Sequence, residues 1–334
     1  MLASLTPFRS AAAGALVVLF GAVAALPAQS SGSERYLRAH VEFLAGDALA
    51  GRRSGSRDEW IAAEYAASQL RQWGIEPAGA AAGLVVPVMP SQADEAARSG
   101  ADGPGAFRPV TWNAVGVLPG RHGRRAGEFV LVSAHIDHLG TRDVDGDGIF
   151  NGADDNASGA AAVLEVARRL SAARPDRSVL FVLFGGEERG GLGSRAFAEA
   201  PPVPLERIVA ALNVEMIGRA DPTLPAGTVW LTGFERSTLG AALAARRLPF
   251  VADPRPHEQF FFRSDNLHLA RRGVVAHTVS TFGLHADYHT PDDELDRIDF
   301  AHMEQVVDIL TEAVGWLARS AFVPAWNEGG RPQP

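Results

Sequence analysis

Residues 178–189 read Ser178-Val179-Leu180-Phe181-Val182-Leu183-Phe184-Gly185-Gly186-Glu187-Glu188-Arg189. An apolar run without alternation describes a strand buried on both faces, as in a sheet covered by helices on each side. The glycine pair ends the run, and two adjacent glutamates stand at its mouth. Like charges placed there repel unless something positive is near. Arg189 would serve, and so would a metal ion. In the second case one glutamate can ligate while its neighbour takes a proton.

Outward from this strand the same texture returns at 208–214, with further strands predicted at 115–118, 129–133, 229–231 and 274–279. Apolar residues at helical spacing predict helices over 34–46, 58–73 and 157–173, then near 194–199, 237–246, 265–272 and 300–319. Strands alternating with helices give an α/β fold with a mostly parallel sheet. Residues 77–108, rich in Ala, Gly, Pro and Ser, read as a surface excursion with one short strand at 84–88. The chain from 324 to 334 is expected to be a loose tail.

Composition removes several chemistries. All 31 basic residues are arginine, so a Walker-type phosphate loop, a Schiff-base lysine and a Ser-Lys dyad are excluded. There is no cysteine, which excludes disulfides, thiolate nucleophiles and a lipid-anchoring cysteine. The net charge of -8 argues against nucleic acid as the main partner. Residues 1–28 carry one charge, Arg9, then an apolar run to Leu26 and a small-residue close at Ala28. That layout predicts a signal peptide and a secreted or periplasmic product. The run is shorter than the ~20 residues a spanning helix needs, so no stable membrane insertion is expected. Residues 29–323 then form a single domain.

In α/β sheets, chemistry collects at the carboxyl ends of strands. Five polar stretches fall there: Ser133-Ala134-His135-Ile136-Asp137-His138, Asp154-Asp155-Asn156-Ala157-Ser158-Gly159, Gly185-Gly186-Glu187-Glu188, Glu215-Met216-Ile217-Gly218, and His285-Ala286-Asp287-Tyr288-His289. Each has an ordinary structural reading: a His–Asp pair, helix capping, an ion pair, a solvated loop. Together they bring imidazoles and carboxylates to one sheet edge, an inventory that suits zinc. Asp143, Asp145 and Asp147 fit the start of a calcium loop, although no helix precedes them. Gly191-Leu192-Gly193-Ser194-Arg195-Ala196 fits a loose dinucleotide pattern but starts too far past its strand.

The ordered set His-x-Asp, Asp-Asp-Asn-x-Ser-Gly, Gly-Glu-Glu, Glu-Met-Ile-Gly and Tyr-His-x-Pro-x-Asp resembles metallopeptidase family 28, the co-catalytic di-zinc aminopeptidases and their relatives. The resemblance spans about residues 41–318 and includes Leu44-Ala45-Gly46-Asp47 ahead of Gly51-Arg52. It implies a three-layer αβα sandwich of zinc-exopeptidase type, two zinc ions, and a peptide as substrate. His135 and Glu215 match ligands of one ion, Glu188 and His289 match ligands of the other, and Asp155 matches the bridging carboxylate. Many relatives have Asp where Glu215 stands. Glu187 matches the general base, Asp137 the acid that orients His135, Tyr288 a donor to the developing oxyanion, and Asp265 a supporting residue. A single-zinc glutaminyl cyclase, a carboxypeptidase-like relative and a non-catalytic binding module remain as alternatives.

Overall fold

The computed structural model describes residues 1–2, 32–90, 109–121, 123 and 125–333. The leader expectation therefore lies almost wholly outside the described residues, as does 91–108 of the excursion. Among the described residues no helix is long and apolar enough to cross a membrane.

The strands in chain order are β1 (Glu76–Pro77), β2 (Val85–Val88), β3 (Thr111–Leu118), β4 (Phe129–His135), β5 (Gly140–Thr141), β6 (Ile149–Phe150), β7 (Ser178–Phe184), β8 (Ile208–Glu215), β9 (Val229–Leu231), β10 (Phe250–Ala252) and β11 (Ala276–Ser280). The main sheet runs β1-β3-β7-β4-β8-β11-β9-β10, with β2 also paired to β3. Its centre, β7-β4-β8-β11, is parallel. The flanks are mixed: β3 is antiparallel to β7, and β9 is antiparallel to β11 but parallel to β10. Strands β5 and β6 form a separate ribbon.

The two sides of β7 explain its unbroken apolar run. Val179, Phe181 and Leu183 enter one core with helices α1 (Gly32–Leu44), α2 (Arg57–Gln72), α3 (Gly159–Ala173) and α7 (Phe300–Arg319). Leu180, Val182 and Phe184 enter the other, against Phe197 of α4 (Leu192–Glu199) and Leu269 of α6 (Asn266–Arg271). Helix α5 (Thr238–Ala245) packs through Leu239 and Leu243 at the β9–β10 end. The result is the expected αβα sandwich. Because the central strands are parallel, His135, Gly185-Gly186 and Glu215 all emerge at one edge.

The expectation of a loose tail is corrected. Ala325, Trp326 and Asn327 are docked: Trp326 bridges Ser237 and gives its indole N–H to Gly273 O at 3.1 Å. Asn327 bonds Arg236 O and Glu235 O. The indole packs near Phe261 and His277. The sequence there is rich in Gly and Pro, and the side chains that anchor it, Trp326, Asn327 and Arg331, carry no periodic signal.

Candidate metal centre

His135 ends β4. Its Nδ1 lies 3.2 Å from the carbonyl of Asp137, which can only accept, so Nδ1 carries the proton. The lone pair of Nε2 then faces Asp155 Oδ1 at 3.2 Å and Glu215 Oε1 at 3.4 Å. The other oxygen of Asp155 lies 3.1 Å from His289 Nε2, which is 3.2 Å from Glu188 Oε1. The five residues matched to metal ligands thus meet around one carboxylate, with its two oxygens turned to two different sets.

The donors fit a cation better than one another. Glu188 Oε1 and His289 Nε2 are buried atoms without a hydrogen bond among the described residues, despite their short separation. Tetrahedral zinc with bonds near 2.0–2.1 Å sets its donors about 3.3 Å apart, close to these distances. Charge points the same way. Burial opposes ionisation of Asp155, yet His135 and His289 hold its carboxyl far below the usual range. Burial would lower His289, but Asp155 and Glu188 lift it to about 9. Unpaired buried charge is costly, so a pocket this rich in carboxylates calls for positive charge.

Glu187 stands beside the first set, its carboxylate within 4.8 Å of donor atoms of His135 and Glu215. Burial raises its pKa well above the ordinary value; His135 opposes this, while Glu215, Asp265 and Glu188 add to it. Asp137 does more than accompany His135. Its carboxylate is 3.7 Å from Nδ1 and instead accepts Glu187 N–H at 3.0 Å, Glu188 N–H at 3.3 Å and the Ser54 hydroxyl at 2.5 Å. It therefore fixes the turn that carries both glutamates. Tyr288 stacks on His289 with ring centres 3.8 Å apart and lines the same cavity as Asp155, Glu187 and Glu215. Asp265 is buried, which pushes its carboxyl up to about 7.

Several positioning residues carry no assignment from the sequence. Asn156 gives its amide to Val214 O and accepts Met216 N–H, tying the Asp155 loop to the end of β8. The Ser158 hydroxyl accepts Ile217 N–H, and Asp154 accepts Gly218 N–H. The Asp293 carboxylate accepts the N–H groups of Asp154 and Asp155. Arg52 is fully buried and donates to carbonyls of Leu44, Ile136, Asn151 and Gly152, gathering three loops behind the site. His138, inside the first motif, lies 2.9 Å from Glu188 Oε1. The motif words contain Asn156, Ser158 and Asp293, but their partners lie about 60 to 140 positions away.

The calcium expectation finds no support. Asp143, Asp145 and Asp147 are exposed and belong to neither cluster of metal-capable side chains among the described residues. Asp147 instead accepts Ile149 N–H, and Asp154, which stands where the last position of a full twelve-residue calcium loop would fall, bonds Ser158, Gly218 and His285. Gly193 of the dinucleotide pattern is a packing residue: a Cβ there would fall within 2.4 Å of Gly185 O.

Sheet and donor set together define a class: α/β proteins that gather paired imidazole–carboxylate sets at the carboxyl edge of a parallel sheet core. The chain belongs to peptidase family M28, whose model matches residues 113–314. It is 27% identical over 206 residues to the aminopeptidase YwaD of Bacillus subtilis, covering 56% of this chain and 40% of that one. It is 33% identical over 92 residues to a probable zinc metalloprotease of Pyrenophora tritici-repentis, covering 28% and 21%. The chain thus spans between about a fifth and two fifths of the length of these curated relatives. In fold it is similar to an aminopeptidase from Aneurinibacillus sp. strain AM-1, with TM-score 0.61, 19% identity and coverage of 87% and 95%. A zinc aminopeptidase from Bacillus subtilis gives TM-score 0.64 at 16% identity, with coverage of 86% and 95%.

Proposed function

We propose that this chain is a zinc-dependent aminopeptidase that holds two ions and removes N-terminal residues from peptides, with residues 1–28 serving as an export leader. The observation that carries this reading is the division of the Asp155 carboxylate: Oδ1 faces His135 and Oδ2 faces His289. One ion would leave half of that arrangement without purpose, which disfavours the single-zinc cyclase reading. A binding module would have no need of the full donor set.

A bound zinc pair supplies polarisation of the scissile carbonyl and acidification of water at neutral pH. The chain does the rest. Glu187 takes the proton from the attacking water and returns it to the leaving amine. Asp137, through the two N–H bonds it accepts, keeps Glu187 turned to the reacting atoms rather than to solvent. Tyr288 donates to the oxyanion as it develops. Glu215 and Glu187 face the free α-ammonium of the substrate. The cavity wall of Met216, Trp230, Phe260 and Phe282 receives an apolar N-terminal side chain.

The test is a panel of aminoacyl anilides and short peptides offered to the zinc-loaded chain, with N-acetylated counterparts as controls. Hydrolysis of the free-amine substrates alone is expected. Glu187→Gln should lower kcat by about 10²–10⁴-fold with zinc content unchanged. Undiminished turnover in that variant removes Glu187 from the role, and a zinc-loaded wild type inert on every substrate removes the peptidase reading.

A further inference from the structure

His138 belongs to no role described above, and its surroundings are unusual. The ring is fully buried, yet neither ring nitrogen has a hydrogen-bond partner among the described residues. A buried polar atom left unpaired is costly, so Nδ1, which faces two carboxylates, needs a reason. Nδ1 lies 2.9 Å from Glu188 Oε1 and 3.9 Å from Asp155 Oδ2. At 2.9 Å a hydrogen bond to Glu188 would be available, but neither atom is in one.

Four atoms make a closed circuit. His138 Nδ1 to Glu188 Oε1 is 2.9 Å, Glu188 Oε1 to His289 Nε2 is 3.2 Å, His289 Nε2 to Asp155 Oδ2 is 3.1 Å, and Asp155 Oδ2 back to His138 Nδ1 is 3.9 Å. These edges scatter around the roughly 3.3 Å spacing of donors on tetrahedral zinc. The backbone is built to hold the ring there. His138 N–H bonds Arg52 O at 3.1 Å, and the residue bridges Arg53. Gly152 lies against the imidazole; a Cβ at that position would sit 2.6 Å from Cγ and Cδ2. The glycine opens the slot, three residues before Asp155.

We propose that His138 is a fourth protein donor, through Nδ1, to the ion held by Asp155, Glu188 and His289. The inference rests on the two-ion reading above. It makes the two positions unequal. The set of His138, Asp155, Glu188 and His289 is closed by the chain, as structural zinc sites are. The set of His135, Asp155 and Glu215 has three protein donors and keeps a position free, as catalytic sites do. The second ion then adds to the chemistry of the pair by holding Asp155 and its charge in place, and it should leave last under a chelator.

The test uses the full chain loaded with zinc. X-ray absorption on the wild type counts imidazoles: three shared between two ions are expected, from His135, His138 and His289. His138→Ala and His138→Gln, checked for folding by circular dichroism, should bind one of the two ions more than about a hundredfold more weakly in chelator competition. That exceeds the ~10–100-fold typical for loss of a supporting hydrogen bond. Two ions sharing only two imidazoles, or variants that keep both affinities within tenfold, overturn this inference and leave the two-ion reading standing. A wild type that takes up fewer than two ions overturns both. If neither variant folds, the wild-type imidazole count decides.

Discussion

His277 shows how one buried ring sets a condition on the whole fold. It sits on β11 with Nδ1 2.7 Å from Thr232 O and Nε2 2.7 Å from the Ser237 hydroxyl. A carbonyl only accepts, so Nδ1 carries the proton and Nε2 accepts. Burial pushes its pKa down to about 4 from an ordinary 6.5. The folded value is below the unfolded one, so the neutral ring's contribution is complete above pH 6.5 and is lost as pH falls from 6.5 toward 4. The loss is at most about 3 kcal/mol. The Tm should therefore decline across that window, and His277→Gln should flatten the decline by about one proton. An unchanged slope in the variant would contradict the assignment. At this scale the sequence is readable where a side chain ends a strand. His135, Glu188 and Glu215 each follow an apolar run, where a polar side chain at a strand end needs a partner, and it is their convergence at one edge that points to a cation. His138, Asn156 and Asp293 are opaque in the sequence because their work is done with partners from other loops. His138 lies past the end of β4, where alternation no longer says which way a side chain points.

Elements behave the same way. Helices α2 and α7 are legible from their apolar spacing, since each buries one stripe on the sheet and leaves the other face to water. Strand β7 is legible to the residue because both of its faces are covered. Strand β10 is not, with three residues and a single fully buried side chain, Phe250. The tail defies its composition for a related reason. Its hold on the body includes the side chains of Trp326, Asn327 and Arg331 and a few backbone bonds to residues 236 and 238, none visible in local composition. Burial of one large aromatic side chain contributes about 1.5–3 kcal/mol and each net hydrogen bond about 1. Deletion of residues 324–334 should therefore lower stability by about 3 kcal/mol or more, read as a lower midpoint in urea. A midpoint unchanged by the deletion would restore the loose-tail description. Strand ends and helix starts at the site are likewise coupled rather than independent. Through Asn156 and Ser158, the approach to α3 is bonded to the end of β8, so Asp155 and Glu215 are set by one clamp.

For the whole molecule, the parallel centre of the sheet does the organising. Four strands that point the same way deliver their carboxyl ends to one edge, and the loops leaving that edge carry the imidazoles and carboxylates of both candidate clusters. Arg52 is the counterweight. Fully buried, its pKa is lowered to about 10 by burial, against the pull of Asp137, Asp293, Asp155 and Glu188, so it stays charged at neutral pH behind the carboxylates. One guanidinium cannot balance that many acids, and the candidate metal clusters are where further positive charge would be received. The resemblance carried by the five motifs takes in the whole span of the family match, because those motifs are the sheet edge. The tertiary bonds that aim the motifs lie outside what motif order can show. The claim that everything rests on is that Asp155 is shared between two ions. X-ray absorption at the zinc edge, on the zinc-saturated wild-type chain, tests it most directly. A zinc–zinc vector of about 3.5–4 Å is predicted. Full zinc occupancy with no metal neighbour within that range would contradict the account.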